Sequence, residues 1–192
     1  YMALFPLLCG YAQFLSLFLS VFGSKLWLPA LLNVLLSVCS GWLLFQLALR
    51  QYGLRGAVWT FLLWIGCPSQ TIYNSLVLSE PLYTAMVLAF LLGAAQLEHR
   101  PQLSGKPLRS GILWGAGGGV LLRLIQGTRP IAAILIIALL LWLFLLRSAD
   151  ADQPCFPRFR VIFTAVLLAV YLLSGVLWNG LITWRIGESP SS

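Results

Sequence analysis

The sequence predicts an all-α, polytopic membrane protein of about seven transmembrane helices, and three observations carry that prediction. Of its 192 residues, 60% are hydrophobic and only 9% are charged, which is more apolar surface than one soluble core could bury. The apolar residues fall in successive runs, several of them near the ~20 residues that cross a bilayer. The segments between the runs are short and gather Lys and Arg, as membrane loops do.

The first run, Ala3 to Phe22, has no basic leader and no cleavage site, so it reads as a span and not as a removable signal peptide. Gly23-Ser24-Lys25 is a short turn, and Leu26 to Leu49 is the second span. Asn33 and Ser37 lie one turn apart in it, a spacing at which small polar residues pack helix against helix. Arg50, Tyr52-Gly53 and Arg55-Gly56 form the next loop, and Ala57 to Cys67 is the apolar part of a third crossing, long enough only if it runs on to Ile72. The fourth span is Glu80 to Leu97, followed by a surface loop from Glu98 to Arg109. The fifth, Ser110 to Ile125, ends in a connector Gln126-Gly127-Thr128-Arg129; Pro130 opens the sixth, Ile131 to Leu146. A hydrophilic loop, Arg147 to Arg160, leads to the seventh, Val161 to Trp184. The chain starts on Tyr1 and stops soon after an apolar run, so the expectation is one transmembrane domain over 1–192, incomplete at both ends.

Several function classes are set aside at once. Twelve Lys and Arg against five acids give a net charge of +7, but the positives stand singly between apolar runs and form no stripe for nucleic acid. Cys9, Cys39, Cys67 and Cys155 make no CxxC pair and His99 is the sole histidine, so no metal site is expected. Gly115 and Gly117-Gly118-Gly119 follow no strand and precede no Lys-Ser/Thr, unlike a nucleotide loop; in a membrane helix they permit close backbone approach. No cofactor is expected.

Topology then sorts the charges. With seven spans one face takes Arg50, Arg55, Arg100, Lys106, Arg109, Arg147, Arg158 and Arg160, and the other takes Lys25, Arg123, Arg129 and Arg185. The excess marks the first face as cytoplasmic and the second as outer or luminal. Arg123 and Arg129 fall close together on the side where topology least places them. Either they meet a negatively charged ligand, since guanidinium forks onto phosphate oxygens, or they reach to anionic lipid headgroups or pair with Glu80.

The stretch Pro68 to Tyr83 is a polar island between two apolar runs. Gln70, Tyr73, Asn74, Ser79 and Glu80 must sit at an aqueous boundary or inside a protein-lined cavity, because unsatisfied polar groups cost several kcal/mol in hydrocarbon. Pro81 suits the first turn of a new helix that Ser79 would cap, which leaves Glu80 at a positive helix end. These side chains suit the hydroxyls of a sugar, or are solvated at a helix end.

The series Leu32-Asn33-Val34-Leu35-Leu36-Ser37, Pro68-Ser69-Gln70 with Tyr73, Leu78-Ser79-Glu80-Pro81-Leu82-Tyr83 and Thr128-Arg129-Pro130 resembles bacterial membrane glycosyltransferases of family 39 type. These belong to the GT-C superfamily with the dolichyl-phosphate-mannose protein mannosyltransferases and the lipid A aminoarabinose transferases. The resemblance implies a multi-pass enzyme of the bacterial plasma membrane that takes a sugar from a polyprenyl phosphate donor and moves it to an acceptor on the outer face. In that family an acid in the first outer loop serves as base. No residue here matches it, so the catalytic residues stay unassigned and Glu80 is expected to support the polar island instead. Arg129, Arg123, Glu80, Ser79, Asn74, Tyr73 and Gln70 are the candidate substrate-binding residues, with Arg129 foremost for the donor phosphate. Three alternatives stay open: a transporter or flippase of lipid-linked sugars, a non-catalytic subunit that only packs with partner helices, and, from Phe5-Pro6-Leu7, a GT-C enzyme of the GPI mannosyltransferase type.

Overall fold

The computed structural model describes residues 10–23, 25, 27–68, 79–96, 107–146 and 156–186, and all regular structure among them is helical. Six helices follow in order: α1 (Gly10–Phe22), α2 (Leu28–Ile65), α3 (Glu80–Gln96), α4 (Pro107–Thr128), α5 (Ala132–Leu141), which continues as a π-helical stretch (Trp142–Leu146), and α6 (Phe156–Ile186). They gather into two compact units, one of α1 to α3 and one of α4 to α6.

In the first unit, α2 is one helix by its hydrogen bonds but two by its path. Gly53 has φ 72° and ψ −174°, a combination that only glycine adopts without strain. Beyond it the chain doubles back. The rings of Phe45 and Phe61 meet edge-on at 6.0 Å, and a Cβ on Gly41 would lie 3.0 Å from Trp64. Along a straight helix residues 41 and 64 would be about 35 Å apart. Residues 28–52 and 54–65 are therefore the arms of a helical hairpin, roughly 37 Å and 18 Å long. The buried face of the long arm carries Leu28, Leu32, Asn33, Ser37, Ser40 and Gly41, so the Asn33 and Ser37 spacing does mark a packing face. The loop expected over Arg50 to Gly56 is corrected to a one-residue break, with both flanks helical.

In the second unit α4 packs on α6 through glycines four residues apart. A Cβ on Gly111 would meet Ile162 and Phe159; one on Gly115 would lie 2.8 Å from the carbonyl of Phe163; one on Gly119 would lie 2.7 Å from the carbonyl of Leu167. Contacts advance along both helices together, so the pair is parallel. Helix α4 has 22 residues, and the chain must return along its length before α6 begins. Gly117 has nothing within 4 Å of its would-be Cβ; of the glycines in this run, 115 and 119 face the partner.

Some boundaries differ from expectation. Helix α4 takes in Gln126, Gly127 and Thr128, because Thr128 Oγ1 donates to the carbonyl of Ile125 at 2.8 Å and the helix stops only where Pro130 disfavours a helical residue before it. Pro130 lies in the turn itself, and α5 starts at Ala132. Helix α6 begins before Arg158 and Arg160, which were expected in a loop; Arg160 is buried, 8% exposed, its long stem free to pack along apolar neighbours.

Among the described residues, two helices are long and apolar enough to cross a membrane, Leu28–Ile65 and Phe159–Gly180. In the second only 11% of the most apolar window is buried, and Leu172, Leu173, Val176 and Leu177 are all more than 60% exposed. A soluble core helix is mostly covered, so lipid is the medium that matches this surface.

Candidate functional site

Helix α3 starts where the polar island ends. The carbonyl of Ser79 accepts from the backbone N–H of Tyr83 at 2.9 Å, which makes Ser79 the residue that opens the helix, with Glu80 in the first turn and Pro81 buried behind it. A carboxylate there is favoured by the exposed N–H groups of the first turn. Glu80 is half-buried, and Tyr11 lies on α1 of the same unit. The Tyr11 hydroxyl is itself buried and makes no hydrogen bond among the described residues. Tyr11 was not singled out from the sequence: a tyrosine in an apolar run looks like any other aromatic there. Gln70, Tyr73 and Asn74 lie outside the described residues.

The hairpin sets the depth of this region. Its short arm ends at Ile65, followed by Gly66 in a turn that donates to the carbonyl of Leu62 at 2.9 Å. From the pairing of Gly41 with Trp64, Pro68 falls near the level of Ser37, about 14 Å short of the start of the long arm. Asn33 and Ser37 occupy that remaining part of the long arm with 0% and 9% exposure, a buried polar pair at the level where the regular short arm has stopped.

The two arginines belong to the second unit. Arg129 sits in the connector from α4 to α5, which four hydrogen bonds close. Its own N–H donates to the carbonyl of Ile125 at 2.8 Å, and its carbonyl accepts from Ile131 at 2.8 Å. Thr128 Oγ1 donates to Ile125, and Gln126 Oε1 accepts from the N–H of Ala132 at 3.2 Å. That last bond satisfies one of the orphan donors at the start of α5. Gln126 and Thr128 are thus the side chains that fix the turn presenting Arg129, and the sequence reading treated them only as small connector residues.

Comparison with models of known families, with curated proteins and with solved structures returns no match. The chemistry of the site therefore rests on its own geometry.

Because α4 runs unbroken to Thr128, Arg123 and Arg129 are separated by six residues, roughly 9 Å of rise. A break of the helix at Gly127 would be needed to bring both onto one phosphate, and the helix has none there. Arg123 turns instead toward α6, where a Cβ on Gly175 would lie 3.6 Å from its Nη1 and 3.7 Å from its Cζ. Arg129 is half-buried at the helix junction, and its side chain is planar and permanently charged. Among the described residues no three His, Cys, Asp or Glu side chains come together.

Proposed function

We propose that the chain is part of a GT-C-type membrane glycosyltransferase that moves a sugar from a polyprenyl phosphate carrier to an acceptor on the outer face of the bacterial plasma membrane. The observation that carries this reading is the Arg129 turn: a backbone turn closed by four hydrogen bonds, carrying an arginine at one end of a glycine-packed helix pair. Seven crossings follow if α1 and α3 span once each, the α2 hairpin twice, its short arm reaching full depth only with residues beyond Ile65, and α4, the return through α5 and α6 three times. Within each unit the charges agree with that topology. Arg50 and Arg55 flank the hairpin apex at Gly53, away from Lys25. Parallel packing puts Arg109 and Arg160 at one end of the α4–α6 pair, with Arg123 and Arg129 at the other. The second ends are the outer ones by the positive-inside count.

In transfer, the leaving group is the polyprenyl phosphate, and its developing charge needs fixed positive donors on the far side of the anomeric carbon from the attacking acceptor. Arg129 would supply them. The proton acceptor is assigned to no residue here. A phosphate contact of this type is worth about 1.5 to 3 kcal/mol, or one to two decades of donor affinity. Arg129→Ala in the full-length protein should lose all of that and Arg129→Lys part of it, read as binding of polyprenyl-phosphate-linked sugar. Unchanged binding by Arg129→Ala overturns the assignment. One observation favours the second reading, transport of the lipid-linked sugar: the short arm of α2 stops at half the depth of the long one, and transporters place helix interruptions near mid-membrane. Proteoliposome assays separate the two, since a transferase releases free polyprenyl phosphate and a flippase moves the intact donor between leaflets.

A further inference from the structure

Gly111, Gly115, Gly119 and Arg123 stand four residues apart on α4, and all four face α6. The first three let the backbones touch; the fourth puts the longest cationic side chain of the set into the same seam. It fits because α6 presents Gly175 there, leaving room for the guanidinium within ordinary contact distance, 3.6 Å from the position of an absent Cβ. A Cβ alone at 175 would stay in ordinary contact with Cζ and Nη1, whereas a side chain with further carbons beyond Cβ would compete for their space. A charged group in a helix seam calls for a functional explanation, since apolar packing alone would be served better by another small residue.

Building on the glycosyltransferase reading above, we propose that Arg123 is a positioning residue, seated on Gly175 of α6, that fixes the outer end of the α4–α6 pair and thereby the angle at which the next turn presents Arg129 to the donor phosphate. Arg123 lies a turn and a half before the Arg129 connector, on the face of α4 that meets α6. Its seat ties the last turns of α4 to α6 above the point where the glycines have ended. Arg129 is then carried on a fixed platform, and Arg123 acts through it without touching the donor.

Gly175→Ala and Gly175→Leu give a graded test in the full-length protein, with the Gly111→Cys/Ile162→Cys disulfide in a background without native cysteines reporting whether the helix pair is intact. The alanine Cβ only makes contact and should leave donor KM unchanged. The leucine expels the guanidinium while keeping the charge, and should raise donor KM about five-fold with kcat little changed, the size expected for coupled neighbours. Arg123→Ala should give the same rise, and the double variant no more than either alone. If Gly175→Leu leaves donor KM at the parental value while Arg123→Ala raises it, Arg123 contacts the phosphate directly and the seat is irrelevant. Additive effects in the double variant also overturn the proposal, as does loss of the disulfide in Arg123→Ala alone, which would mean a general packing role. A parent that forms the disulfide but neither binds nor cleaves polyprenyl-phosphate-linked sugar would refute the transferase reading, and with it the role given to Arg123.

Discussion

Two glycines on α4, two residues apart, should respond oppositely to the same substitution. A Cβ on Gly119 would lie 2.7 Å from the carbonyl of Leu167 and 2.9 Å from Cβ of Val170. Both obstacles belong to the α6 backbone or its first side-chain atom, so neither can rotate away, and the helices must separate by a few tenths of an ångström over the whole seam. Overpacking of this kind costs about 1 to 3 kcal/mol. On Gly117 the same Cβ meets nothing within 4 Å, and replacing an exposed helical glycine by alanine gains up to about 1 kcal/mol in water. Gly119→Ala and Gly117→Ala should therefore differ by about 2 kcal/mol or more in resistance to unfolding. Titration with SDS from mild detergent, followed by tryptophan fluorescence, reads that difference directly. Equal stabilities, or a more stable Gly119→Ala, would refute the parallel glycine-packed pair and with it the placement of Arg123 on Gly175.

Three further outcomes follow from the same geometry. Gly53→Ala should destabilise the hairpin by about 1 to 3 kcal/mol, because alanine is strained at φ 72° and ψ −174°, and should weaken a Phe45→Cys/Phe61→Cys crosslink that forms readily in the parent. Gln126→Met keeps the volume but removes the acceptor for the Ala132 N–H, so it should weaken donor binding, while Gln126→Glu keeps the oxygen and should restore part of it; equal binding by the two would show that the hydrogen bond does not set the turn. Glu80→Gln should retain measurable turnover, since the carboxylate is read as support for the helix start and not as the proton acceptor, and complete loss with normal expression and donor binding would promote it to the base.

Helix content and the start of α3 were legible in the sequence for simple reasons. Apolar runs of membrane length have few alternatives to helix, and Ser79-Glu80-Pro81 can hardly occur inside one. The hairpin was half legible: Gly53 and the flanking arginines marked a reversal, but how abrupt it is depends on one residue taking a conformation that local composition does not require. The glycine run on α4 signalled close approach without saying which glycines face a partner, because that needs the register of α6. Gly111 went unnoticed for the same reason. Arg129 was legible in the sequence as a charge in an unexpected place, which the structure puts in the turn between α4 and α5. Gln126, Thr128 and Gly175 were not, since their roles arise from hydrogen bonds and contacts with α5 and α6. Gly127 and the charges of Arg158 and Arg160 were misleading as boundary signals: a single glycine is tolerated in a tertiary-packed helix, and an arginine can enter one through its stem.

The account stands most directly on which side of the membrane Arg129 faces. Single cysteines at 52, 104, 129 and 25, each in a background without native cysteines, can be tested in intact cells with a membrane-impermeant thiol reagent. The account predicts labelling from outside at 25 and 129 and none at 52 and 104 until the membrane is opened. Labelling at 52 and 104 with protection at 25 and 129 would put the arginine turn in the cytoplasm and contradict an outward-facing transferase.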